Sequence, residues 1–463
     1  MRKLSAAFGA VLVLATACMD NPVSPSRDQV VAGSPQSLQT LATGILGATR
    51  AATGTVAWDF LYGGIDARDV LRLDPNDNRF TQEFYVTTPD PSSFVGSASW
   101  QRYYIANRAI INLYDQPAFT TLAAGDQAIT RGFFNTVKAL NYIKVFETRD
   151  SLGIALMLKE PSALPPILCK PSALAGISAL LDSAYADLTA SGTSTDLPFT
   201  AAGFDLHGDY TTKDGIIRFN RGLKGKVEIL RATSRQASTG TAGFTAALAA
   251  LDIALAGAPA SPDAAFLAEG PYYLFNSASP ESFPNPLGGD TKIGLTDNFL
   301  NGYMAGDLRQ ANVYTVANPQ QAQGYSFTKS YVYTKGDQLN RPMAMIRNAE
   351  LYLLRAEAKL GLNDLPGATA DVNAVHVGEG GLAKYADFTT RDQAIAALNY
   401  EYRYSLVLEG WQHLSLLRRY GLLTSAYVNQ AGTPNGGAGD PLNSVLPIPV
   451  AEVTARNGAT ACQ

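Results

Sequence analysis

Little in this chain can hold a metal or run nucleophilic chemistry. Its 463 residues include three histidines and three cysteines. His207, His376 and His413 share no metal-ligand spacing, and neither HExxH nor a paired CxxC occurs. Each histidine reads as a surface or cap residue. No GxSxG is present, which removes support for an α/β-hydrolase. No GxxxxGK followed by Ser or Thr, and no GxGxxG after a strand-like run, signals a nucleotide. The sequence calls for no cofactor. Charged residues are only 16 %, below the usual quarter, and Lys and Arg are scattered without a basic stripe. Nucleic acid is therefore not an expected partner. Beyond the N-terminus no segment offers 18 uncharged apolar residues, so no helical membrane span is expected in the body. Carboxylates are not scarce, and a glycosidase pair about 5–10 Å apart is not excluded by counting.

Hydrophobic residues make up 46 %, enough for a sizeable core. The N-terminus is the most informative stretch. Arg2 and Lys3 precede Leu4–Ala17, an uncharged and largely apolar run of fourteen residues. That is short for a span and right for a signal peptide over 1–17. It ends in Leu14-Ala15-Thr16-Ala17-Cys18, small residues directly before a cysteine, as in a bacterial lipobox. Cys18 is the expected lipidation site, and residues 18–35, rich in Pro and Ser, form a tether. The ordinary alternative is a secretory signal with a chance cysteine. Cys169 and Cys462 then remain; they either pair in an oxidising envelope or stay two separate thiols.

Residues 36–463 read as one helical domain, an N-terminal part to 345 and a C-terminal part from 346. Apolar side chains recur every three or four residues over 97–115, 129–148, 173–190, 218–237, 241–257, 349–360 and 367–375. Arg391–Tyr420 predicts one long helix, or two broken at Gly410. Helix–turn–helix units of this kind resemble degenerate tetratricopeptide repeats. Between them lie stretches rich in Gly, Pro, Asp, Asn and aromatics at 59–96, 191–215, 258–345 and 422–448. Structureless stretches of that length are uncommon unless functional. One holds Trp58, Tyr62, Asp66, Arg68, Asn76, Asp77, Phe80, Tyr85 and Phe94; another holds Tyr272, Tyr273, Phe275, Phe283 and Tyr303. Aromatic faces stack on sugar rings while nearby polar groups satisfy hydroxyls. The candidate binding residues are therefore Asp66, Arg68, Phe80, Tyr85, Phe94, Tyr272, Tyr273, Phe275 and Tyr303. The plainer alternative is that these rings pin loops onto the helices.

The C-terminal third carries a specific pattern. Arg347-Asn348-Ala349-Glu350-Leu351-Tyr352-Leu353-Leu354-Arg355-Ala356-Glu357-Ala358 resembles the R-x-A-E-x-Y-L-x-x-A-E-A signature of the SusD/RagB family. Glu401-Tyr402-Arg403 through Glu409-Gly410, then Arg418-Arg419-Tyr420-Gly421, and Leu446-Pro447-Ile448-Pro449 with Glu452 and Asn457 resemble its later motifs. Upstream, Trp100 with Tyr104, Arg108-Ala109 and Asp307-Leu308-Arg309 look like family elements in the same order. Ser405 stands where the family has Glu, Gln412 where it has Arg, and Ser415 where it has Asp. These departures bear on a local ion-pair network.

What the resemblance implies is an all-α-dominated, tetratricopeptide-like superhelical scaffold with long ligand-binding loops. It implies a non-catalytic outer-membrane lipoprotein that captures a glycan, or in some members a peptide, and passes it to a SusC-like TonB-dependent barrel transporter. By analogy the ligand meets the loops before the Trp100 helix, Asp66 included, and parts of 258–345. Two other readings stay open: a helical-repeat scaffold for another envelope protein, and a secreted glycoside hydrolase.

Overall fold

Where apolar side chains repeat with helical period, helices form. The computed structural model describes residues 35–463 except 54–57, 161–163, 208, 280–281, 430–439 and 460. The predicted signal peptide, Cys18 and the tether lie outside these residues, apart from Pro35. The longer helices are α1 (Pro35–Thr53), α2 (Trp58–Asp66), α3 (Gln101–Leu113), α4 (Ala124–Arg149), α5 (Lys170–Thr189), α6 (Lys213–Ala232) and α7 (Gly240–Ala254). They continue with α8 (Asn348–Gly361), α9 (Leu365–Gly378), α10 (Arg391–Ser405) and α11 (Gln412–Tyr420).

The starts of these helices are written in the sequence. Thr212 accepts from the Gly215 amide at the head of α6, and Asp364 accepts from the Gly367 amide beside Pro366 in α9. Thr390 and Gln393 form a full capping box on α10. From α4 to α10 each helix packs chiefly on its neighbours in sequence, which is the logic of a repeat array. Close approach needs small residues: a Cβ on Gly225 of α6 would stand 2.4 Å from Leu251 Cγ of α7. Of the two readings of 391–420, the one with a break at Gly410 holds: α10 and α11 are separate helices. Leu408 (φ 60°) and Gly410 (φ 153°) turn the chain there, and α2 crosses that corner so closely that a Cβ on Gly63 would meet the Gly410 carbonyl.

The stretches expected to be irregular carry structure of their own. Residues 59–96 hold most of α2 and β1 (Val70–Arg72), which pairs antiparallel with β6 (Ile293–Leu295). Strands β2 (Ile154–Ala155) and β3 (Ile167–Leu168) form a second pair. A third sheet runs β4 (Phe204–His207), β5 (Gly270–Tyr273), β9 (Met343–Ala344). Strands β7 (Val313–Ala322) and β8 (Tyr325–Tyr331) make a hairpin, irregular between Thr315 and Gln320, that rests on β6.

Long-range ties join the two ends of the chain. Cys169 and Cys462 are disulfide-bonded, which settles the open question about these thiols. The Gln463 amide donates to the Ile167 carbonyl at 2.8 Å, so the terminus runs beside β3. Arg149, fully buried at the end of α4, donates to the carbonyls of Gly96, Ala98 and Pro447. His413 is not a surface or cap residue: it is 5 % exposed, its Nδ1 bonds Asp69 at 2.5 Å, and its Nε2 bonds Asn399. Arg403 donates to the other Asp69 oxygen at 2.7 Å. Among the described residues no helix is long and apolar enough to cross a membrane.

Candidate functional site

The N-terminal aromatic cluster is core. Phe80 packs edge-on against Tyr62 and Phe94, with the Arg72 guanidinium 3.7 Å from its ring centre. Tyr85 lies 4.8 Å from Tyr325, donates to the Val70 carbonyl, and carries Arg68 over its face at 4.7 Å. Tyr273 sits edge-on to Phe60 and Phe204, and Phe275 stacks on Phe283. Asp66, Arg68, Phe80, Tyr85, Tyr273 and Phe275 are all buried. All six are buried against other parts of the protein, and among the described residues the Asp66 carboxylate oxygens have no hydrogen-bond partner, so none of the six lies on open surface in this structure. Burial pushes the Asp66 carboxyl up to about 7, against the opposing pull of Arg68 and Arg418. Of the other three, Phe94 is half-buried beneath Arg79 at 4.5 Å. Tyr272 is half-buried on β5, its hydroxyl bonded to the Ala268 carbonyl. Tyr303 leads to the site described next.

Helix α10 presents Tyr400 and Tyr404 four residues apart, hence on one face. A short helix, Asp297–Asn301, brings Phe299 and Tyr303 against them. Tyr303 and Tyr404 ring centres are 4.2 Å apart, Tyr400 and Tyr404 4.6 Å, Phe299 and Tyr404 4.9 Å. From the other side Tyr385 stacks on His376 at 4.0 Å and leans on Phe388. The Tyr385 backbone is held by both ends of the Asn373 amide. Between these walls lies an open, largely apolar cleft of about 480 Å³. It is lined by Met304, Tyr385, Phe388, Tyr400 and Tyr404, with Asp387, Gln393, Asn399 and Arg403 among its polar groups. Tyr385 and Tyr400 keep part of their surface open.

A buried polar network fixes the cleft floor. Arg309 donates to both Asp307 oxygens, to Glu401 at 2.6 Å and to Ser405 Oγ at 2.6 Å. Tyr400 donates to Asp307 at 2.7 Å and accepts from the Met304 amide at 2.8 Å. His376, 2 % exposed and so no surface residue either, bonds the second Glu401 oxygen at 2.7 Å. Ser405 thus joins the network as a neutral acceptor in the position where a Glu was expected. The Arg309 guanidinium, with Tyr400, holds the Asp307 carboxyl below the ordinary carboxylate range despite burial. Behind Tyr404 lies a second cavity of about 270 Å³, lined by both polar and apolar groups, that Tyr272 helps to line. There Arg347 is clamped by Glu379 and Glu409. Of the candidate residues Tyr303 packs on Tyr404 at the cleft wall, and sequence reasoning did not single out Tyr385 and Tyr400, whose partners lie in distant segments. Among the described residues no group of three or more His, Cys, Asp or Glu could hold a metal.

Comparison with known proteins bears on the fold. Residues 301–454 match the SusD family. A SusD superfamily protein from Parabacteroides distasonis aligns with a TM-score of 0.65 at 13 % identity, over 90 % of this chain and 97 % of that one. NanU from B. fragilis aligns at 0.63 and 15 %, over 95 % and 98 %. A SusD-like carbohydrate-binding protein from Bacteroides vulgatus aligns at 0.54 and 16 %, over 82 % and 83 %. No curated protein matches the sequence.

Proposed function

From a SusD-superfamily fold and a SusD-family match over residues 301–454, we propose that this chain is a non-catalytic nutrient-capture lipoprotein of the outer membrane. Its lipid anchor is Cys18 and its body sits at the cell surface. It takes up a glycan, less readily a peptide, and hands it to a TonB-dependent barrel transporter. The observation that carries this reading is the tyrosine cleft. Half-open rings held by a rigid buried network are pre-organised platforms, and binding to them orders little that was mobile. The flat apolar face of a pyranose stacks on such rings while its hydroxyls reach the amides and carboxylate nearby.

The same cleft argues against hydrolysis. Glycosidases need two carboxylates flanking the scissile bond. Among the described residues lining the cleft, Asp387 is the one carboxylate. The carboxylates beneath it, Asp307 and Glu401, are engaged with Arg309.

Isothermal titration against a panel of neutral oligosaccharides and peptides tests the reading. Saccharide binding without turnover, weakened by Tyr385→Ala, is expected. Release of reducing ends, or binding to no saccharide, would overturn it. The anchor is tested separately: Cys18→Ser should move the protein from the membrane to the aqueous fraction.

A further inference from the structure

Two charged groups line the tyrosine cleft, Asp387 and Arg403. They are not equivalent. Arg403 donates to Asp69 at 2.7 Å, and its guanidinium lies over the Phe299 and Tyr404 rings at 5.4 and 5.6 Å. Its charge is offset by the Asp69 carboxylate, although its buried Nη2 has no hydrogen-bond partner among the described residues. Asp387 is exposed and has no ion-pair partner among the described residues. Lys384, Tyr385 and Asp387 all line a neighbouring groove, and of its two charged residues only Asp387 also lines the cleft. Among the described residues, the charge lining the cleft without an ion-pair partner is therefore a single carboxylate, Asp387.

The two amides complete the pattern. The Gln393 carbonyl oxygen is occupied by the Thr389 and Thr390 amides in the capping box. The Asn399 oxygen is bonded to His413 Nε2. Each is left with an NH₂ group to donate, while an ionised Asp387 can only accept. A ring bearing hydroxyls satisfies both, because a hydroxyl donates and accepts. A ring bearing a carboxylate or sulfate satisfies the amides but meets Asp387 as a like charge. Between exposed groups that repulsion is screened by salt. Specificity often rests on such a repulsive element.

We infer that the cleft selects uncharged saccharide rings over acidic ones and that Asp387 sets the choice. The inference rests on the glycan-capture reading and names the ligand class of that same site.

The test uses the full chain and matched pairs of tetrasaccharides. Cellotetraose, mannotetraose and maltotetraose are each compared with the same chain oxidised at C6 to the uronate, at low salt. The neutral form should bind at least tenfold tighter. Asp387→Asn, an exposed substitution whose folding is checked by circular dichroism, should narrow the gap to about threefold or less. Added salt should narrow it in the wild type. Lys384→Ala should not narrow it. Equal or tighter uronate binding, or a gap unchanged in Asp387→Asn, overturns the inference while glycan capture stands. Failure of every saccharide to bind overturns both.

Discussion

Two regions of this protein are equally rich in aromatic side chains and use them in opposite ways. In residues 58–94 the rings of Tyr62, Phe80, Phe84 and Tyr85 turn inward and are at most 3 % exposed. Around α10, Tyr385 and Tyr400 stand on buried partners but leave part of each ring open. The difference lies in what covers the second face. In the first region strand β1, the β7–β8 hairpin and three arginines close over the rings. In the second, the polar network holds the rings from below and nothing described closes above. An aromatic residue in irregular chain is thus not by itself a sign of a binding surface; on the proposed reading, a ring supported on one side only is the candidate.

The comparison can be broken in several ways. The largest expected effect lies outside both regions. Cys169→Ser with Cys462→Ser opens a loop closed over 293 residues. Chain entropy puts the cost at about 6 kcal/mol, read by denaturant unfolding, with glycan affinity of the folded protein unchanged. Next, Tyr85→Ala should cost about 3–5 kcal/mol of stability, as truncation of a buried aromatic does. Binding should survive in the folded fraction; loss of binding at unchanged stability would return Tyr85 to the ligand surface.

Third, Asp66 gives the buried region a pH signature. Its folded carboxyl titrates near 7, above its ordinary 3.8. Below pH ~4 both states hold the proton and the group leaves stability intact. Between about 4 and 7 the unfolded chain loses the proton first, so stability falls by up to ~1.4 kcal/mol per pH unit from this group. Asp66→Asn should flatten that slope in urea titrations from pH 4 to 8 and should be the more stable protein at pH 8. The smallest effect sharpens the other region. Tyr385→Ala should weaken neutral glycan binding about tenfold, ~1.4 kcal/mol, with a stability loss under about 1 kcal/mol.

Much of the scaffold was legible because its signals are local. Helical periods placed α3 to α9 within a few residues, the Gly-then-Pro spacing at 361–366 marked the α8–α9 turn, and Gly410 marked the corner before α11. The ordered motifs from Trp100 to Asn457 pointed to the fold that the comparisons support. Of the candidate binding residues, Tyr303 packs on Tyr404 at the cleft wall. Tyr385 and Tyr400 owe their exposure to Asp307, Met304, Asn373 and His376, and no periodicity reports which face of a ring a distant segment will cover. For the same reason His376 and His413 read as surface residues: their partners Glu401 and Asp69 are assigned by tertiary packing.

Amide hydrogen exchange with and without a saturating neutral oligosaccharide tests the central claim most directly. Protection concentrated in 302–308 and 384–404, with 74–94 unchanged, is the predicted result. Protection confined to 74–94 would contradict it and place the ligand on the loops whose aromatic rings face inward.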